Sequence, residues 1–305
     1  MRLRGSLCAL ATPLDRHGEL DRRGFRALLA RQLAAGTDGL VVGGSTGQGA
    51  LLSDAESAAL IEEVLALPGP RPLLVAGTGA AATAQAIART RRAAALGAEA
   101  ALVVAPYYVR PNQEGLYRHF MAVADQGGLP IVLYNVPSRT ACDLLPETVA
   151  RLARHPLVVG IKESRPERER LEALLALRGP DFAVLSGDDP TMAEALLAGA
   201  DGVVSVAANV APASVRRLCE DARRGDAAAV RARDGAMRDL YRFLAVEPNP
   251  IPVQWLLARQ LGWESAAPRL PLVELAPAWR EQGESLLAGL AGLEARALAS
   301  PVSPT

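Results

Sequence analysis

Leu157-Val158-Val159-Gly160-Ile161-Lys162-Glu163 is a short, β-branched and almost wholly apolar run that ends on a lysine. Its length and composition fit a strand buried on both faces, as the strands of a parallel sheet are. Seven more runs of this kind lie at 6–11, 38–43, 72–77, 100–105, 129–134, 182–186 and 202–206. Ala/Leu/Arg stretches of helical period fill the gaps. Those at 82–97 and 145–154 have the apolar spacing of surface helices, and Ser53-Asp54-Ala55-Glu56 opens another with a capping box. Eight strand–helix units predict a parallel α/β sheet closed into a (β/α)8 TIM barrel. A doubly wound open sheet is the alternative, but no composition break divides the chain into the usual two domains. The strands stop near residue 226. The expected organisation is a barrel over 1–225, a C-terminal helical appendix over 226–297 packed on it, and a disordered tail over 298–305. Within the appendix, 226–244, 251–263 and 277–297 read as helices.

The lysine that ends the opening run is unusual in this chain. Of 33 basic side chains, all but Lys162 are arginine. A guanidinium keeps its proton in a protein, whereas a buried ε-ammonium can lose it. The one lysine is therefore a candidate for chemistry that needs a neutral amine, above all imine formation with a carbonyl. An apolar strand end is expected to desolvate the ammonium and favour the nucleophilic form.

Composition excludes several other classes. Formal net charge is zero, so neither nucleic acid nor an anionic membrane surface is expected as a partner. The longest apolar runs fall short of a membrane span, and the N-terminal one is too short for a signal peptide. Cys8, Cys142 and Cys219 show no CxxC or disulfide spacing, which suits a reducing cytoplasm. His17, His119 and His155 are scattered, and no metal site is visible; His119, beside Tyr117 and Arg118, reads as a surface residue.

In a barrel of this type the reacting groups sit where strands end and βα loops begin. Lys162 falls at such an end. So do Gly43-Gly44-Ser45-Thr46-Gly47-Gln48-Gly49, Tyr107 and Tyr108 after the fourth strand, and Tyr134 and Arg139 around the fifth. The glycine loop can bring backbone N–H groups close to an anion; a tight turn would read the same way. Tyr134 and Tyr108 can pass protons, and Arg139 can clamp a carboxylate. Gly77-Thr78-Gly79-Ala80-Ala81-Ala82 has GxGxxA form, the one feature pointing to a dinucleotide oxidoreductase. It follows the third strand rather than the first, which argues against that class.

Taken in order, these segments resemble the dihydrodipicolinate synthases of the pyruvate-dependent class I aldolase superfamily, over about residues 4 to 295. The likeness is carried by Ala76-Gly77-Thr78-Gly79, Pro106-Tyr107-Tyr108, Gln113-Glu114-Gly115-Leu116-Tyr117 and Leu133-Tyr134-Asn135-Val136-Pro137-Ser138-Arg139-Thr140. It continues through Cys142-Asp143-Leu144-Leu145-Pro146-Glu147-Thr148, Gly160-Ile161-Lys162-Glu163, Leu185-Ser186-Gly187-Asp188-Asp189 and Val246-Glu247-Pro248-Asn249-Pro250-Ile251-Pro252-Val253.

The resemblance implies condensation of pyruvate with L-aspartate 4-semialdehyde, in the diaminopimelate route to lysine. Lys162 would form the imine, and Tyr134 would transfer protons in a relay completed by Ser45 and Tyr108. Backbone N–H groups of Ser45 and Thr46 would hold the pyruvate carboxylate, Val204 would line the pyruvate pocket, and Arg139 would hold the second substrate. Tyr107 would reach across a subunit contact in a homodimer or homotetramer. No cofactor or metal is implied. The loop Gly44-Ser45-Thr46-Gly47-Gln48 departs from the family's usual GTTGE at Ser45 and Gln48, and the overlapping Gly43-Gly44-Ser45-Thr46-Gly47 is how the loop often reads in N-acetylneuraminate lyases. A lyase acting on sialic acid or a 2-keto-3-deoxy sugar acid, or a non-catalytic keto-acid binder, is the alternative. Where the family's lysine-feedback pocket is polar, this chain has Gly49, Asp54, Ser57, Ala81 and Gln85, with only Tyr107 retained. Weak or absent inhibition by L-lysine is expected.

Overall fold

The computed structural model describes residues 3–299. Every one of the eight apolar runs forms a strand: β1 (Gly5–Ala9), β2 (Gly39–Val42), β3 (Leu73–Gly77), β4 (Ala100–Val104), β5 (Ile131–Asn135), β6 (Val158–Glu163), β7 (Ala183–Ser186) and β8 (Gly202–Ser205). All neighbours pair in parallel, in sequence order, and β8 returns to β1, so the sheet closes. The fold is a (β/α)8 TIM barrel, and the open-sheet alternative falls.

Side-chain alternation along the strands makes two cores from one sheet. Leu7, Val41, Val75, Leu102, Val132, Leu185 and Val204 point inward and fill the barrel. Their neighbours Cys8, Leu40, Leu74, Val103, Leu133, Ile161, Val184 and Val203 point outward and meet the helices. Apolar residues of both parities are what made each run read as continuous rather than alternating.

Between the strands lie α1 (Arg22–Ala34), α2 (Asp54–Leu65), α3 (Thr83–Leu96), α4 (Gln113–Gly127), α5 (Pro137–Thr140), α6 (Pro146–Leu152), α7 (Arg168–Leu175) and α8 (Met192–Leu197). The capping box at α2 forms as its sequence indicates. The Glu56 amide donates to Ser53 Oγ at 3.2 Å, and the Ser53 amide donates to Glu56 Oε2 at 2.8 Å. After β8 come α9 (Pro212–Arg223), α10 (Ala227–Leu244), α11 (Ile251–Leu261) and α12 (Pro277–Ala299). At Gly283 helix α12 lies so close to the aromatic pair Phe243 and Trp255 that a Cβ would come within 2.3 Å of the Trp255 ring. The segment expected to be a tail begins inside α12, because Leu298 and Ala299 continue the helix; residues 300–305 lie outside the described residues.

His119 corrects its reading as a surface residue. It is 4 % exposed, within 3.0 Å of Thr83 Oγ1 through Nδ1, and its ring stands edge-on to Phe120. The phase of α4 decides this, since Leu116, Phe120 and Val123 set the inward face and His119 lies on it. Burial lowers its pKa from 6.5 to about 4, so the ring is neutral at pH 7. The three cysteines are free and buried. Among the described residues no helix is long and apolar enough to cross a membrane.

Candidate active site

Tyr134 and Lys162 come together through strand register. A shift in the β5–β6 pairing at Ile131/Val132 sets Tyr134 opposite Lys162 and Asn135 opposite Glu163. Strand parity then turns the first pair into the barrel and the second pair out of it. Lys162 Nζ lies 4.2 Å from the centre of the Tyr134 ring, and both side chains are buried.

The space for the lysine is made by Gly187, just past the end of β7. A Cβ there would meet Ser164 Oγ at 2.5 Å and Lys162 Cε at 2.7 Å. Sequence reasoning gave Gly187 no role. Its signal was its place directly after a strand end, in register with the lysine strand.

Tyr134 is the perturbed acid of the site. Burial pushes its phenol up, but the Lys162 charge, hydrogen bonding with Ser164, the Arg139 charge and hydrogen bonding with Ser45 together outweigh burial. The net effect lowers its pKa. A phenol so placed gives up its proton more readily than free tyrosine and can return it to a nearby reacting atom.

A cavity of about 280 Å³ opens beside Tyr134, with Ser45, Tyr107, Arg139 and Asn249 also among its walls. The Gly43–Gly49 loop makes one side. It packs backbone against backbone, for a Cβ on Gly49 would sit 1.8 Å from the Gly43 carbonyl oxygen. The amides of Ser45 and Thr46 donate to no other group among the described residues. The glycines of the GxGxxA stretch are explained by packing, since a Cβ on Gly79 would meet the Val104 amide at 2.5 Å. Gly77 and Gly79 also line the cavity.

Asn249 ties the remaining pieces together, and sequence reasoning assigned it nothing. Its Nδ2 donates to Thr46 Oγ1 at 3.0 Å, and its carbonyl accepts from Arg139 Nη2 at 3.0 Å. The segment before α11 thereby holds both the glycine loop and the arginine at the cavity. Prolines on either side of Asn249 were the available signal.

The structure brings Tyr134, Ser45 and Arg139 together on the cavity wall with Lys162 against the Tyr134 ring, while Thr46 is buried within the glycine loop and Val204 in the barrel's inner core. It does not bring Tyr108 to them. Tyr107 lines the cavity, whereas Tyr108 is 90 % exposed on a left-handed backbone with φ of 72°. The expected places of the two tyrosines are thus exchanged within one chain: the βα turn after β4 can aim only one of two consecutive side chains inward. Gln48, where the family usually has glutamate, is buried. Its Oε1 accepts from the Arg269 amide at 2.7 Å and its Nε2 donates to the Thr12 carbonyl at 3.4 Å. Among the described residues no group of three or more His, Cys, Asp or Glu side chains is placed to hold a metal ion.

Known proteins resemble this chain along nearly its whole length. The family model described as "Dihydrodipicolinate synthetase family" matches residues 2–289. A 4-hydroxy-tetrahydrodipicolinate synthase of Xanthomonas axonopodis pv. citri is 53 % identical over 295 residues, covering 97 % of both chains. One from Pseudomonas aeruginosa is 44 % identical over 277 residues, covering 91 % of this chain and 94 % of its own. Among solved structures, the chloride-inhibited dihydrodipicolinate synthase of Acinetobacter baumannii complexed with pyruvate superposes with a TM-score of 0.91 at 39 % identity. That match covers 95 % of this chain and 99 % of the other. A buried lysine at the end of β6, a tyrosine facing it from β5 and a match along nearly the whole length carry one conclusion: this chain belongs to the dihydrodipicolinate synthetase family.

Proposed function

We propose that this chain condenses pyruvate with L-aspartate 4-semialdehyde to give 4-hydroxy-tetrahydrodipicolinate, through an imine on Lys162. The observation that supports this most is the buried Lys162 amine held 4.2 Å from the ring of Tyr134, which lines a cavity with an arginine at its wall. The neutral amine attacks the keto carbon of pyruvate, and loss of water leaves an imine. Once protonated, that imine draws electrons from the methyl group, which gives up a proton and becomes an enamine. The enamine carbon then bonds to the semialdehyde's aldehyde carbon. Finally the semialdehyde's own amine attacks the imine carbon and displaces Lys162, closing the ring. The protonated imine is the electron sink, so the chemistry calls for no cofactor.

Tyr134 is suited to move the protons, with Ser45 as its hydroxyl partner. The amides of Ser45 and Thr46 suit the pyruvate carboxylate, and Val204 the wall against its methyl group. Arg139 is suited to the carboxylate of the second substrate. Tyr108 is not placed to serve in its own chain, because its side chain is exposed and does not line the cavity. Its exposed ring fits instead the site of a second copy, which would make the working unit a homodimer or larger and leave Tyr107 as a wall of its own cavity. A sugar-acid lyase would need room for a long polyhydroxylated chain, and a cavity of about 280 Å³ with Arg139 at its wall fits the smaller semialdehyde better. The test is turnover of pyruvate and L-aspartate 4-semialdehyde by the purified protein, with Lys162→Ala as control. Turnover that disappears in the variant supports the reading; a folded wild-type protein with no turnover overturns it.

A further inference from the structure

We propose that Asn135 and Glu163 are positioning residues, whose outward-facing contact sets how Tyr134 and Lys162 face each other inside the barrel. This rests on the reading of Lys162 given above. The two residues are the next register pair along the same strands, on the opposite face of the sheet. Asn135 Nδ2 donates to both Glu163 carboxylate oxygens at 3.1 Å and to Asp143 Oδ1 at 2.9 Å. Its Oδ1 accepts from the Leu144 amide at 2.9 Å. Glu163 also accepts from the Arg165 amide at 2.8 Å and from Arg170 Nε at 2.7 Å. Arg170 and Arg165 both reach Asp143 in turn, at 3.1 and 2.8 Å.

Asn135 is fully buried and Glu163 is 5 % exposed. Burying a carboxylate among strands is costly even when it is paired, and a well-packed apolar pair would join β5 to β6 at least as stably. What the polar pair adds is direction. Each hydrogen bond fixes an angle, so the strand ends can neither slide nor roll without breaking several at once. Because consecutive residues on a strand move together, that geometry is passed to Tyr134 and Lys162. A misplacement of about 1 Å between reacting groups can cost on the order of a hundredfold in rate.

The experiment compares wild type with Glu163→Gln, which keeps the shape but sets an amide against Arg170 and the Arg165 amide. Three readings are taken: kcat and KM for both substrates, the rate at which pyruvate becomes trapped on the protein by borohydride, and the melting temperature. The expected result is a kcat lowered at least about tenfold, both KM values within about twofold, and slower trapping. Arg170→Lys, a milder change that keeps the charge, should move kcat in the same direction by less and serves if Glu163→Gln does not fold. Asn135→Ser should behave as Glu163→Gln does. An unchanged kcat and trapping rate alongside a lower melting temperature would make the cluster a staple only, and KM values rising in step with the loss of kcat would place it in substrate binding. Either result overturns the proposal. No trapping by the wild type would instead sink the imine reading on which it rests.

Discussion

Tyr134 and Lys162 stand in register on adjacent parallel strands, one residue short of the outward pair Asn135 and Glu163, with the lysine nitrogen 4.2 Å from the tyrosine ring centre. Neither side chain can leave this arrangement easily, since both are buried and both lie on strands rather than loops. Tyr134→Phe keeps the ring and removes only the hydroxyl. Its kcat should fall by about 10² to 10⁴, the usual worth of a positioned proton-transfer group. Pyruvate should still become trapped on Lys162, though more slowly. A full-speed Tyr134→Phe enzyme would remove Tyr134 from the proton path.

Gly187 is where the lysine's freedom is decided. Adding one methyl group puts a carbon 2.7 Å from Lys162 Cε and 2.5 Å from Ser164 Oγ, closer than such atoms approach. The lysine tip is flexible enough to give way, but only by leaving its present position. Gly187→Ala should fold with a modest loss of stability, about 1–3 kcal/mol by melting, as overpacked sites do. Its borohydride trapping should be slowed far more than its binding of the second substrate.

Arg139 lies on the exposed side of the cavity, held by the Asn249 carbonyl at 3.0 Å. Losing a charged hydrogen bond to a substrate carboxylate costs about 1.5–3 kcal/mol. Arg139→Ala should therefore raise the KM for L-aspartate 4-semialdehyde by roughly 10- to 100-fold, at 1.4 kcal/mol for each factor of ten. The KM for pyruvate and the trapping rate should change little. If both substrates are affected alike, Arg139 shapes the cavity rather than holding one carboxylate.

These variants also mark how much the sequence disclosed. The barrel was legible because strands buried on both faces leave continuous apolar runs, and eight such runs separated by helices admit few folds. Lys162 was legible because its side chain type is unique in the chain. Tyr107 and Tyr108 were not told apart, since consecutive residues in a turn carry no periodicity to say which faces inward. Asn249 lies 203 residues from its partner Thr46, so no local pattern could join them. His119 could have been placed correctly from the spacing of Leu116, Phe120 and Val123; its polar neighbours Tyr117 and Arg118 outweighed that spacing.

The lysine-feedback positions make a further prediction. Asp54, Ser57 and Gly49 line a second cavity of about 30 Å³ together with Arg89 and Arg92. Asp54, the one carboxylate among those walls, is already paired with Arg92. The ammonium groups of L-lysine would meet two guanidinium groups and no free carboxylate there, and like charges at close range repel. Turnover should be insensitive to L-lysine at micromolar concentration, and Arg89→Glu should make the enzyme more sensitive than wild type. Strong inhibition of the wild type at micromolar lysine would show that the amine is held elsewhere.

His119 ties stability to pH. Its folded pKa lies at about 4 against an ordinary 6.5, because burial disfavours the charged ring. Between those values the unfolded chain binds the proton and the folded chain does not, so the neutral ring's contribution is whole above pH 6.5 and is lost as pH falls toward 4. The full difference amounts to about 3 kcal/mol, at 1.36 kcal/mol for each pKa unit. Carboxyl groups pushed up by burial, Glu163 and Asp189 among them, act in the opposite direction, since the folded chain takes up their protons first. Total stability against pH therefore mixes opposing contributions, and the informative quantity is the difference between wild type and His119→Gln. That variant can keep a hydrogen bond to Thr83 but cannot titrate. Denaturant unfolding at pH 7.5 and pH 5 should show the wild type losing about 2 kcal/mol more than the variant between the two. Equal losses would mean that the ring is solvated enough to take up its proton in the folded state.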